Sequence, residues 1–341
     1  MSEYRYTYSS PLKEYFQAFL DFKASKNQDE FSYAFLFKHI DTFLVDKGYG
    51  KTYIDREIYC EWLGDRIEKV SPVTLSRESS MMRTFLIFTT KIGNECYIPS
   101  PRKQPQKTYI PHVFSHDELE ALFSAADNLR LRNRCTNNYL HMIPALFRLL
   151  YSTGLRLGES LNLRNKDVDM KARIIKLRDT KNRHERLAPI NESLGAVLEE
   201  YLWNRNRIPT EGINLAGGYF FCGARGQKCA HQIVRRWFHV AREEAGIPYY
   251  GREGGPNVHC LRHTACVHAL MKMVNSGKDP FCCLPTLTAF MGHRSVKATE
   301  YYLHLCEELY PEMVQLERNI SSGVNGVIRN AIRQYIIDEN R

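Results

Sequence analysis

The chain is expected to be mainly α-helical with one small β-sheet, arranged as two domains. Apolar residues recur at helical spacing on both sides of a proline-rich stretch, whereas only one short region alternates with a period of two. A length of 341 residues is also enough for two separate hydrophobic cores.

The first domain, 1–96, reads as a helical bundle. Leu12, Tyr15, Phe16, Phe19 and Leu20 form one helical stripe, and Phe35, Leu36, Ile40, Phe43 and Leu44 a second. Ile58, Trp62, Leu63 and Ile67 mark a third helix; Met82, Phe85, Leu86 and Thr89 mark a fourth. These stripes are expected to fill a core. A linker, 97–114, follows, with prolines at 99, 101, 105 and 111 and the cations Arg102, Lys103 and Lys107. Proline removes helix and stiffens an extended chain, so this is a semi-rigid connection. Its charge suits either a strap along phosphates or a solvated linker.

The second domain spans 115–320. Ser115 and Glu118 have the spacing of a capping box, opening a helix through Leu119, Leu122 and Phe123. Apolar 139–151 is expected to be a buried helix interrupted at Pro144, and 172–190 to be two strands around a polar turn. Helical patterns follow near 192–206, 231–245, 262–274, 285–291 and 296–306. The tail, 321–341, carries GVNGVIRNAIRQYII at 323–337, most of which can form an amphipathic helix.

Composition narrows the function classes. With 43% hydrophobic and 25% charged residues the chain is an ordinary globular protein, and its net charge of +9 favours a polyanionic partner. No apolar run reaches the roughly 20 residues of a membrane span, and no signal core opens the chain. The ten cysteines follow no disulfide or zinc spacing, so free thiols filling the core of a cytosolic protein are expected, with no metal.

Six residues carry the chemistry. Arg156 follows a glycine able to stop the preceding helix, and its forked donors match phosphate oxygens; a surface pair with Glu159 is the alternative. Lys181 sits in the polar turn with Arg183, where neighbouring cations favour release of its proton to a leaving group. His259 and Arg262 lie three apart at the start of a helix after a glycine-rich loop and can share one face. His293 ends a helix in Met-Gly-His, and Tyr302 comes nine positions later. A phenol of pKa about 10 needs help to act as a nucleophile, and surrounding cations are expected to lower its pKa. Arginines, a lysine and histidines around a tyrosine are the groups needed to hold a phosphodiester and attack it.

The contexts TGLRLGE (153–159), TKNRHERLAPI (180–190), HCLRHT (259–264) and MGHRSVKATEYYLH (291–304) together resemble the tyrosine recombinase, or phage integrase, family. The resemblance covers about 115–306 and extends to the N-terminal bundle, which is similar to that family's core-site-binding domain. It implies a C-shaped clamp around duplex DNA. Arg156 and Arg262 would clamp the scissile phosphate, Lys181 would protonate the departing 5′ hydroxyl, and His259 and His293 would bond the phosphate and shuttle protons. Tyr302 would form a 3′-phosphotyrosyl link with no cofactor, and Glu159 would support Arg156. Tyr301 is turned about 100° away on the same helix. The stretch between Arg262 and His293, which includes VNSGKDPFCCLP (274–285), looks longer than in compact relatives, which puts the local helix packing in question.

The function expected is therefore site-specific recombination by an enzyme working through a Holliday junction, as an integrase or transposase of a mobile element. The partners implied are double-stranded core sites, a homotetramer on two sites that is monomeric without DNA, and accessory bending or directionality factors, in a bacterial cytoplasm at the nucleoid. The first ten residues are expected to leave no room for a separate arm-binding domain. Arg235 and Arg236, beside Trp237, are further candidates for DNA contact. The alternatives are a chromosome or plasmid dimer resolvase, a type IB topoisomerase, and a non-catalytic DNA-binding protein.

Overall fold

The computed structural model of the chain describes residues 6–103, 110–130, 139–178, 185–251, 255–293 and 295–309. Lys107, Cys135, Lys181, Arg183 and the tail 321–341 lie outside the described residues. The chain divides into two compact units, Met1–Thr108 and Tyr109–Arg341.

The first unit holds α1 (Lys13–Ser25), α2 (Phe31–Asp46), α3 (Arg56–Lys69) and α4 (Pro72–Lys91). Local chemistry starts the last two. The Asp55 side chain accepts from the Ile58 N–H, and Ser71 accepts from Thr74 ahead of a proline in the first turn. Phe16, Phe19, Phe37 and Phe85 meet in the middle; Phe16 stacks on Phe37 at 4.6 Å and Phe19 meets Phe85 edge-on at 5.6 Å. Two residues of the expected core stripes point outward instead. Phe35 is 49% exposed and Ile67 is exposed as well. Position 35 lies about 200° around the helix from buried Phe37, so one face cannot bury both.

Two buried acids tie this unit together. Asp41 accepts from the backbone N–H groups of Ser9 and Ser10 at 2.8–3.0 Å, which pins the segment before α1. Glu78 of α4 takes a two-pronged bond from Arg66 of α3, at 2.7 and 2.8 Å, with both residues buried.

The second unit begins with α5 (His116–Asp127), whose capping box forms as its spacing predicts. Next come α6 (Ile143–Thr153) and α7 (Leu157–Asn162). Pro144 stands in the first turn of α6, where a missing N–H costs nothing, so it starts this helix and does not interrupt one. A three-stranded antiparallel sheet follows: β1 (Val168–Asp169), β2 (Ile174–Leu177) and β3 (Arg186–Pro189), in that order. Its first strand, two residues long, is too short to show alternation. In β2 and β3, Ile175 pairs with Ala188 and Leu177 with Arg186.

The remaining helices are α8 (Glu192–Arg205), α9 (His231–Glu244), α10 (Val258–Asn275), α11 (Pro280–Met291) and α12 (Lys297–Leu309). Two begin earlier than their apolar pattern suggests. Asn257 caps α10 through the His259 N–H, and Asp279 caps α11 through the Cys282 N–H, with Pro280 in its first turn. Helix α10 packs against α6, α11 and α12 and buries Cys260, Leu261, Thr264, Val267 and Leu270, so it is covered nearly all round. Among the described residues no two cysteines form a disulfide, but Cys60 and Cys282 are exposed, so not all of them fill the core.

Removing one member of the Arg66–Glu78 pair strands the other charge. Glu78→Ala should lower stability by about 3 kcal/mol in urea denaturation of the full chain, while Arg66→Met combined with Glu78→Leu should recover most of the loss.

Candidate active site

Helices α6 and α11 both stop at a left-handed glycine, Gly154 with φ of 60° and Gly292 with φ of 62°. Their ends approach closely: a Cβ at Gly154 would stand 2.9 Å from the Met291 sulfur. Arg262 of α10, 2% exposed, donates from Nη1 to the Gly154 carbonyl and from Nη2 to the Met291 carbonyl at 2.6 Å. Helix C-termini present unpaired, partly negative carbonyls, so they hold this buried cation without a carboxylate. Burial, and then the charge of Arg156, pushes its pKa down to about 10, which leaves it cationic at neutral pH.

Arg156 immediately precedes α7. Its backbone N–H donates to Glu159 at 2.9 Å and its guanidinium to the same carboxylate at 2.7 Å, with a longer reach of 3.4 Å to the Gly292 carbonyl. The surface pair foreseen as an alternative thus exists, but within the cluster: the Glu159 side chain is only 7% exposed. From the other side Arg186 of β3 donates to Glu159 at 3.0 and 3.4 Å. Burial pushes the Glu159 carboxyl up, but the bonds and charges of Arg186 and Arg156 outweigh it and hold the pKa below the ordinary value. Three guanidinium groups against one carboxylate leave an excess of positive charge suited to an anion.

Three histidines and the tyrosine line the other side. His293 bonds Thr299 through Nδ1 at 2.9 Å, and its ring stacks on that of Tyr302, 5.9 Å between centroids. His263 places Nδ1 3.0 Å from the Tyr302 hydroxyl, and the His259 ring meets His263 edge-on at 4.6 Å. Burial first, and neighbouring cations and imidazoles next, push all three below the usual histidine range, to about 4 for His259 and His293 and about 3 for His263. His259 is the exposed one of the three, with its ring against His263. All three are therefore neutral at pH 7.

Tyr302 is 4% exposed on α12 and its neighbour Tyr301 is 42% exposed, which agrees with the helical turn between them. The expectation that cations lower the Tyr302 pKa is corrected. Burial raises it well above the usual phenol value, and the opposing pull of Arg262 and Arg156 is too weak to reverse that.

Arg156, Glu159, His259, Arg262, His293 and Tyr302 thus gather at one place, while Lys181 and Arg183 fall outside the described residues. Arg235 and Arg236 are exposed on α9, with Trp237 packed on the core. Arg102 and Lys103 are exposed in the first unit. Two members of the cluster escaped sequence reasoning. Arg186 shares its strand face with buried Ala188, and an inward arginine on a strand implies a carboxylate partner. His263 lies four residues after His259, on the same helix face. Among the described residues, no group of three His, Cys, Asp or Glu side chains could hold a metal ion.

The Gly292 turn and the Glu159 carboxylate should each be measurable. A Cβ at Gly292 would collide with the Arg186 guanidinium, and the left-handed backbone adds roughly 1–2 kcal/mol of strain. Gly292→Ala should therefore lower thermal stability and displace Arg186 from Glu159. A carboxyl with a depressed folded pKa stabilises the protein fully above its ordinary value of 4.5 and loses that contribution as pH falls through the folded value. Glu159→Gln should accordingly flatten the acid limb of a stability–pH curve while leaving its alkaline limb unchanged.

A model of the phage integrase family matches residues 112–308, more than half of the chain. A Sinorhizobium fredii protein named as an integrase/recombinase is 29% identical over 273 residues, covering 78% of this chain and 85% of that one. The tyrosine recombinase XerC of Oceanobacillus iheyensis is 28% identical over 259 residues, covering 75% and 77%. In fold, the chain is similar to the XerH site-specific recombinase bound to its difH substrate, with a TM-score of 0.62 at 17% identity over 85% of this chain and 80% of that one. The long family match, together with relatives aligned over most of their length, shows that this chain belongs to the phage integrase family, the tyrosine recombinases, which cut and rejoin DNA strands.

Proposed function

We propose that the protein is a site-specific recombinase in which Tyr302 is the nucleophile, acting for a mobile element as an integrase or transposase. One observation carries the reading: a buried phenol stands among neutral imidazoles and beside paired guanidinium groups. Arg156 and Arg262 hold two non-bridging oxygens of the scissile phosphate and neutralise charge building on them. The Tyr302 hydroxyl passes its proton to the His259 and His293 relay, and its oxygen bonds to phosphorus as the bond to the 5′ oxygen breaks, leaving a 3′-phosphotyrosine. Lys181 supplies the proton to the departing 5′ hydroxyl, and His259 and His293 bond the phosphate and relay protons. The new linkage keeps the energy of the old one, so a 5′ hydroxyl from a second duplex can reverse the step and exchange strands through a Holliday junction. No ATP is consumed.

Two duplexes and paired cuts call for four protomers, assembled on core sites from chains that are monomeric without DNA. Residues 1–96 and 115–320 would grip the duplex, with the linker 97–114 and its Arg102, Lys103 and Lys107 along the backbone. Arg183, Arg235 and Arg236 would add phosphate contacts. The tail 321–341 would pack on a neighbouring protomer or on its own domain, with accessory bending or directionality factors completing the assembly in the cytoplasm. Support for a mobile-element role is the alignment with an integrase/recombinase over 85% of that relative.

The test is a suicide duplex, nicked near the scissile phosphate and built from sequence flanking the gene. Wild type and Tyr301→Phe should form a denaturation-resistant protein–DNA adduct, and Tyr302→Phe should form none. Binding of that DNA without any adduct would point to a non-catalytic DNA-binding protein.

A further inference from the structure

Among the groups around Tyr302, only His263 among the described residues places a side-chain nitrogen at hydrogen-bond distance from the hydroxyl, 3.0 Å from Nδ1 to Oη. His293 lies over the face of the phenol ring, 5.9 Å away between centroids, and its Nδ1 is taken up by Thr299. His259 stands beyond His263, edge to ring at 4.6 Å. We infer, resting on the recombinase reading above, that His263 is the positioning residue for the nucleophile, its Nδ1 accepting the Tyr302 O–H and so aiming the attacking oxygen.

The chemistry of the attack favours that direction of bonding. A phenol oxygen that donates its hydrogen to His263 keeps its lone pairs free for phosphorus, whereas one that accepts from Nδ1–H has a lone pair engaged. Accepting requires a neutral ring, and His263 is held neutral by burial and by His259, Arg262 and His293. The proton itself stays on the phenol without DNA, because burial raises Tyr302 while it depresses His263. His263 therefore acts by direction and not by withdrawing a proton.

The two partners sit on different helices, α10 and α12, which pack through Cys266, Val267, Leu270, Leu303 and Cys306. That packing settles where the phenol ring lies. It leaves the hydroxyl hydrogen free to rotate about the C–O bond; the bond to His263 fixes that hydrogen, and with it the direction of the lone pairs on the oxygen. Attack needs those orbitals aligned with phosphorus, and poor alignment can cost on the order of 100-fold in rate.

Asparagine separates aim from basicity. Its Oδ1 can stand where the imidazole Nδ1 stood and accept a hydrogen bond, but it cannot hold a proton at neutral pH. The experiment measures the first-order rate of adduct formation, under single turnover, on the nicked suicide duplex shown to bind the protein. His263→Ala should slow the adduct by about 100-fold while binding that duplex within about twofold of wild type, and His263→Asn should restore the rate to within about tenfold of wild type. Thermal melting confirms that each variant is folded. Undiminished cleavage by His263→Ala would overturn the inference alone. So would a folded, DNA-binding His263→Asn as slow as His263→Ala, since that would make the ring a base. Wild type that binds the duplex yet forms no adduct would overturn the recombinase reading and this inference with it.

Discussion

Arg262 carries its charge inside the second unit, and the ends of two helices are shaped around it. A buried cation without partners costs several kcal/mol, so something must answer it. Here the answer is backbone: the last carbonyls of α6 and α11, brought together by left-handed turns at Gly154 and Gly292. Side chains beyond glycine would collide at both turns, with Met291 in one case and Arg186 in the other. The next carbonyl along, that of Gly292, accepts from Arg156 at 3.4 Å, so the two guanidinium groups are set side by side by one junction of helix ends. A carboxylate in place of those carbonyls would cancel the charge that a phosphate needs; partial charges hold the arginine and leave it attractive to an anion.

Around that junction the site rests in an unreactive electrostatic state. Glu159 is ionised between Arg156 and Arg186, the three imidazoles are neutral, and the phenol of Tyr302 keeps its proton. Each shift has burial in it, working against whichever form is charged. A phosphodiester entering this pocket brings the negative charge that the guanidinium groups lack. It would stabilise protonated His259 and His293 and so ready them to donate. On the proposed reading, the Tyr302 phenol would keep its proton until a phosphodiester completes the charge balance.

The two units have separate cores. The first is an aromatic bundle with a buried Arg66–Glu78 pair, and it contains none of the clustered side chains. The second supplies the described members of the cluster from the residue before α7, from α7, β3, α10 and α12, and from the turn after α11. No helix among the described residues is long and apolar enough to cross a membrane.

Periodicity and caps in the sequence determined the helices, the β2–β3 pair and the Ser115 box, because those depend on neighbours within a few residues. Motif spacing likewise named Arg156, His259, Arg262, His293 and Tyr302, and the turn of a helix separated Tyr302 from Tyr301. Other features were legible only in three dimensions. Phe35 faces solvent because Phe37 already occupies the inner face of α2. Arg186 meets Glu159 across 27 residues and His263 meets Tyr302 across 39, and no local pattern encodes such distant partners. The sign of the Tyr302 shift was also decided there. Cations nearby in sequence argue for a lowered pKa, but how deeply a phenol is buried is set by the packing of α10 and α12, and burial outweighs the charges.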